Sequence, residues 1–163
     1  MAILGYMGSG KTTVGRSLAR KLGWGFVDLD RTIVEEAGRT ISQIFEDSGE
    51  DGFRDLEHRA LLDALDGEGE RVIACGGGII LRPENRERLK EIPAVFLRED
   101  LGVLYDRTRG TGRPLRAANR EDFERRYAER LPLYEEVADV EVAVRGHPPQ
   151  EVAEEIARWL LGA

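Results

Sequence analysis

Thiol chemistry is almost missing from this chain. Its 163 residues hold one cysteine, Cys75, which excludes an internal disulfide and leads us to expect a reducing, cytoplasmic setting. Cys75 closes an apolar run, where a small buried residue is the plainer reading than a nucleophile. No apolar run approaches the length of a membrane span, and the amino terminus lacks a basic stretch followed by a long apolar core and cleavage site, so a soluble protein that is not secreted is expected. Basic residues form no run of one sign and the net charge is −7, which argues against a nucleic-acid groove. No internal repeat, low-complexity tract or interdomain linker interrupts the chain, and its length suits one domain with a sizeable core.

What is present begins at Gly5-Tyr6-Met7-Gly8-Ser9-Gly10-Lys11-Thr12, a full G-x-x-x-x-G-K-[ST] match directly behind the apolar Ala2-Ile3-Leu4. Glycines let the backbone wrap a polyphosphate with its N–H groups, Lys11 can reach the β- and γ-phosphates, and the Thr12 hydroxyl is placed to ligate Mg²⁺. Thr13 to Leu22 follows with Val14, Leu18, Ala19 and Leu22 at helical spacing and stops at Gly23. Strand, loop and helix therefore stand in the order a phosphate cradle requires, with the helix N-terminus facing the anion.

Strand and helix then alternate, implying a parallel sheet covered on both faces. Strands are expected at Phe26–Asp28, Arg71–Cys75, Ala94–Leu97 and Val140–Val144, with a first strand of only a few residues, short for a central one. Helices are expected from Asp30 to Ala37, over Ile41 to Phe45 behind a Thr40/Gln43 capping box, and from about Gly52 to Leu65. Others are expected from Pro83 to about Glu91, from Arg120 to Val137 with Pro132 as a kink, and after Pro148-Pro149. Residues 108 to 119 are rich in glycine, proline and arginine without apolar periodicity, which predicts a long functional loop.

Four further features carry chemistry. Asp28-Leu29-Asp30 leaves the second strand at its carboxyl end, where open parallel sheets bind ligands, and strand alternation would turn both carboxylates to the crevice. One acid can hold Mg²⁺ beside Thr12 and the other can orient a substrate hydroxyl; alternatively Asp30 caps the next helix. Arg54 and Glu57 can meet on one helix face, by itself an ordinary surface pair. Gly76-Gly77-Gly78 ends a strand without any Cβ, allowing close approach to the main chain. Arg107, Arg109, Arg113 and Arg116 surround the long loop, with Arg130 on the helix behind it; a closing loop could carry such charge onto a transferring phosphoryl group.

Together, the phosphate loop, Asp28-x-Asp30, Phe53-Arg54-x-x-Glu57, Gly76-Gly77-Gly78, Arg113-Pro114-Leu115 and Arg130-x-Pro132-Leu133-Tyr134 resemble shikimate kinase, in that order and over nearly the whole chain. The resemblance implies ATP-dependent phosphorylation of the 3-hydroxyl of shikimate in aromatic amino-acid biosynthesis. It implies a P-loop NTPase α/β fold with a five-stranded parallel sheet of order 2-3-1-4-5, a substrate-binding helical segment at about 30–65 and a lid at about 108–119, all in one kinase domain. Catalysis would fall to Lys11, Asp30 and Arg113. ATP would meet Gly8, Ser9, Gly10, Lys11, Thr12, Thr13, Arg107, Arg113 and Pro149, and Mg²⁺ would meet Thr12 and Asp28. Shikimate would meet Asp30, Arg54, Gly76, Gly77, Gly78 and Arg130. Small molecules, neither nucleic acid nor membrane, would be the partners of a monomer. A gluconate-type or nucleoside-monophosphate kinase shares the core and the loop. A GTP switch would need an Asn-Lys-x-Asp string, which does not occur.

Overall fold

The computed structural model describes residues 1–110 and 119–162. Thirteen elements are described: β1 (Ala2–Leu4), α1 (Lys11–Leu22), β2 (Gly25–Asp28), α2 (Leu29–Ala37), α3 (Ile41–Asp66), β3 (Arg71–Ala74), a 3-10 turn (Ile79–Leu81), α4 (Pro83–Leu89), β4 (Ala94–Arg98), α5 (Leu101–Thr108), α6 (Arg120–Val137), β5 (Val140–Ala143) and α7 (Pro149–Leu161). The five strands run parallel in the order β2-β3-β1-β4-β5, the order expected from the resemblance.

Alternate strand residues feed two apolar layers. Ala2, Leu4, Ile73, Ala94 and Phe96 pack with α2, α3, α4 and α6, whereas Ile3, Val72, Val95 and Leu97 pack with α1 and α7. Burial on both faces explains why these strands read as continuous apolar runs rather than as alternating ones. β1 is indeed short, only three residues, yet it lies at the centre of the sheet between β3 and β4.

Helix ends follow local chemistry. α1 starts at Gly10 with φ 89° and stops at Gly23 with φ 70°, where the Gly23 and Trp24 amides bond back to the Arg20 and Ala19 carbonyls, a glycine-terminated stop. The capping box at Thr40 and Gln43 opens α3. The two expected helices there are one element broken at Gly49, whose φ of 67° and ψ of −173° suit glycine alone. α6 spans Arg120–Val137 with Pro132 inside it. α5 has no counterpart in the sequence reading; Asp100 caps it by accepting from the Gly102 and Val103 amides.

One reading changes its reason. Asp30 is not on a strand: it lies in the first turn of α2, and Asp28 is the residue that caps this helix, accepting from the Arg31 amide at 3.3 Å. Helix geometry rather than strand alternation brings Asp30 to the crevice.

Candidate active site

The phosphate loop leaves β1 at Gly5 and enters α1 at Lys11. Its glycines are required sterically: Gly8 has φ 84°, and a Cβ there would lie 3.1 Å from the Thr108 methyl. A Cβ on Gly5 would lie 2.5 Å from Ser9 Oγ, itself buried without a hydrogen-bond partner among the described residues. Lys11 curls over the loop, its Nζ donating to the Gly5 carbonyl at 2.9 Å and the Tyr6 carbonyl at 3.0 Å. Beside it, a cavity of about 240 Å³ is lined by Gly8, Gly10, Lys11, Thr12, Thr13, Asp28 and Asp30. Thr12 donates to Asp28 Oδ2 at 2.6 Å.

A second set of charges converges on the glycine triplet. Arg54 and Glu57 are not a surface pair: their side chains are 6% and 1% exposed and 2.6 Å apart. Glu50 adds a partner to Arg54 at 3.3 Å, and the guanidinium lies over the Phe53 ring. Burial holds the Glu57 carboxyl above the usual carboxylate range; Arg54 counters this and nearby Asp30 adds to it. Glu57 Oε1 and Arg54 Nε are buried with no hydrogen-bond partner among the described residues, and orphaned charged atoms of this kind are costly enough to mark a working site.

The triplet exists to admit these groups. A Cβ on Gly76 would collide with Glu57 Oε1 and come 3.1 Å from Asp30 Oδ1, and one on Gly78 would lie 2.5 Å from Arg54 Cζ. Gly77 instead faces the phosphate loop, its nearest neighbours being the Met7 amide nitrogen and the Gly5 carbonyl. The Gly77 carbonyl accepts from Arg130 Nη1 at 3.3 Å and from the Tyr134 hydroxyl. Arg130, 6% exposed, also lies over the Tyr6 ring of the loop, 5.4 Å from its centroid. Burial drives the Tyr134 hydroxyl well above the ordinary tyrosine range, so it stays a donor.

On the other flank, Arg107 donates to the Gly8 carbonyl at 3.1 Å. Pro149 opens α7, and the turn before it is tethered to the start of α5 by an Arg145–Asp100 pair at 3.2 Å. Arg113 and Arg116 lie outside the described residues, as does most of the predicted lid. Arg109 terminates α5 and is exposed. Cys75 is buried beneath the site, and burial pushes its thiol up to about 12, so it is an inert packing group.

Sequence reasoning underrated Glu57, whose burial a helix-face pair does not reveal, and missed Glu99. The available signal for Glu99 was an acid two residues behind the apolar Ala94–Leu97 run, at the sheet edge where ligands bind.

A family model described as shikimate kinase matches residues 7–161. The chain belongs to the shikimate kinase family. Its sequence is 42% identical to the shikimate kinase of Thermodesulfovibrio yellowstonii over 97% of this chain and 92% of that relative. Among solved structures, shikimate kinase from Acinetobacter baumannii in complex with shikimate superposes with a TM-score of 0.92 at 38% identity, covering 99% of this chain and 92% of that one. The Aquifex aeolicus shikimate kinase gives a TM-score of 0.87 at 35% identity, over 99% and 95% of the two chains. The chain is accordingly an ATP-using kinase of the shikimate pathway, phosphorylating shikimate for aromatic amino-acid biosynthesis.

Proposed function

We propose that this shikimate kinase transfers the γ-phosphoryl of ATP to the 3-hydroxyl of shikimate across the gap between the phosphate loop and the glycine triplet. The carrying observation is convergence: Asp30, Arg54 and Arg130 all meet Gly76-Gly77-Gly78, whose middle residue abuts the loop itself. Arg54 and Arg130 grip the shikimate carboxylate, a task suited to the planar guanidinium fork. Gly76, Gly77 and Gly78 line the ring, and Asp30 hydrogen-bonds the reacting hydroxyl and takes its proton. Gly8, Ser9, Gly10, Thr12 and Thr13 cradle the phosphates, with Lys11 and Arg113 neutralising the transferring group. Arg107 and Pro149 flank the nucleobase.

Thr12 and Asp28 fit a magnesium ion. They bring a hydroxyl and a carboxylate oxygen side by side, hard donors of the kind this cation takes. Such a cation would complete its shell from water and phosphate oxygens. Bound there, it would shield the charge of the β- and γ-phosphates.

The domain assignment we propose is a single kinase domain with an acceptor-binding segment at about 30–65 and a lid at about 108–119. We propose a monomer, and a cytoplasmic location is supported by the lone buried thiol. No helix among the described residues is long and apolar enough to cross a membrane. The test is a coupled ADP-release assay with shikimate, gluconate and nucleoside monophosphates side by side, followed by locating the product phosphate by NMR. Turnover confined to shikimate with phosphate on the 3-oxygen is expected, and preference for gluconate or another position would overturn the reading.

A further inference from the structure

Glu99 follows β4 at the carboxyl edge of the sheet, and its side chain is only 1% exposed. A carboxylate buried beside a polyphosphate site is unfavourable twice over, through lost hydration and through repulsion of the ligand. Two contacts answer the first cost. Oε1 accepts from the Asp100 amide at 2.8 Å, and Oε2 pairs with Arg107 Nη1 at 3.1 Å. The same Nη1 donates to the Gly8 carbonyl at 3.1 Å, so one nitrogen ties a buried acid to the crown of the phosphate loop. Both contacts are made by this one nitrogen, and the side chain is 51% exposed. Around it the last turn of α5 presses on Gly8, where Leu104, Arg107 and Thr108 are the nearest neighbours of an added Cβ.

Stability alone does not account for this arrangement. A buried ion pair seldom outperforms apolar packing, and here the cation is half in water, which weakens the return further. What the pair does achieve is orientation: a long, flexible arginine is held at one nitrogen while its flat face stays accessible.

We propose that Glu99 is a positioning residue for the nucleotide, holding Arg107 against Gly8 so that its guanidinium forms a preset platform for the purine base of ATP. This rests on the reading that Arg107 flanks the nucleobase. Glu99 lowers the ordering cost of the bound arginine and screens its own charge from the phosphates through it. Its influence falls on ATP and not on shikimate, whose groups lie across the loop on α3, α6 and the glycine triplet.

The experiment is a double-mutant cycle with Glu99→Gln, Arg107→Ala and the pair, measuring KM for ATP, KM for shikimate and kcat. Glu99→Gln keeps the shape and the oxygen facing the Asp100 amide while removing the charge. Its KM for ATP should rise roughly tenfold, as expected for loss of a charge-assisted anchor, with kcat and KM for shikimate moving far less. In the Arg107→Ala background the same substitution should add almost nothing. An unchanged KM for ATP in Glu99→Gln, or an equal rise with and without Arg107, overturns the proposal. If Arg107→Ala itself leaves KM for ATP unaltered, the nucleobase reading beneath it fails instead. Arg107→Lys provides a test that leaves Glu99 in place: an ammonium can hold the same two oxygens but offers no flat face, so KM for ATP should rise, and a wild-type value would sink the platform.

Discussion

A single methyl group added at Gly78 should separate acceptor binding from nucleotide binding. Gly78 has φ −107° and ψ 6°, which alanine can adopt, so the backbone raises no objection. The obstacle is Arg54: the new Cβ would lie 2.5 Å from Cζ, with both terminal nitrogens closer still. Ordinary carbon contacts sit near 3.5 to 4.0 Å, so the guanidinium must retreat by about 1 Å. An exposed arginine would do so at little cost. This one is 5% exposed, stacked on Phe53 and bonded at 2.6 Å to Glu57, which is itself 1% exposed. Overpacking of this kind costs about 1–3 kcal/mol, which for a domain of this size lowers Tm by roughly 2–4 °C per kcal/mol. Displacing the fork would also remove the charge-assisted contact proposed for the acceptor carboxylate, worth about 2–3 kcal/mol, so KM for shikimate should rise roughly a hundredfold. ADP affinity, measured by calorimetry, should stay within about twofold, because the loop does not touch Gly78. Gly77→Ala serves as the internal control: its Cβ would meet only ordinary contacts at 3.4 Å and beyond, and its stability should remain within about 1 kcal/mol of wild type. A Gly78→Ala enzyme with normal KM for shikimate would refute the claim that the triplet exists to seat Arg54.

Asp30→Asn should lower kcat by roughly 10²- to 10⁴-fold, the usual worth of a positioned acid–base group, while ADP titration stays near wild type; a matching loss of nucleotide affinity would move Asp30 to the metal. Arg130→Ala should raise KM for shikimate well above any change in KM for ATP, and equal effects would count against a carboxylate clamp. Cys75 should resist thiol reagents at pH 8 in the native protein and react on unfolding. With its thiol lifted from about 9 to about 12, the folded state keeps a proton that the unfolded chain releases. The Cys75 contribution should therefore be intact below pH 9 and shrink above it by about 1.4 kcal/mol per pH unit; Cys75→Ala should remove that slope between about pH 9 and 10, before Tyr134, also raised by burial, begins to add its own, and persistence of the full slope there would assign it elsewhere.

The architecture was legible because local signals agreed with one another. A loop motif between an apolar strand and an amphipathic helix, glycine at helix ends and a capping box at Thr40 each have one structural solution, and the strand order came from the family resemblance. What escaped notice depends on neighbours far away in sequence. Whether an Arg-x-x-Glu pair lies in water or in a core depends on the strand end above it, here the triplet some twenty residues later. Asp28 and Asp30 were both found, but the boundary between strand and helix falls between them, which reassigns the cap to Asp28. α5 follows an acidic strand end and leads into an arginine-rich stretch, and its eight residues hold Leu101, Leu104 and Tyr105 at helical spacing over little more than one turn, too short a run to stand out. Glu99 carries no local signature of burial, which depends on α5 bringing Arg107 beside it.

The brevity of β1 has its own effect on the molecule's shape. Its last residue pairs with Phe96, whereas β4 continues to Arg98 and on the other flank β3 leads directly into Cys75 and the triplet. On the β4 side the sheet therefore stands two residues taller than β1, whereas Ile3 already pairs with Ala74, the last residue of β3, so the loop sits at the foot of one bank. That bank presents Glu99 and Arg107, while the buried acid and guanidinium of α3 reach the site against the glycines that follow β3. The phosphate loop is thereby recessed beside β4, and lengthening β1 by two residues would lift it level with Arg98 and out of register with the glycine triplet.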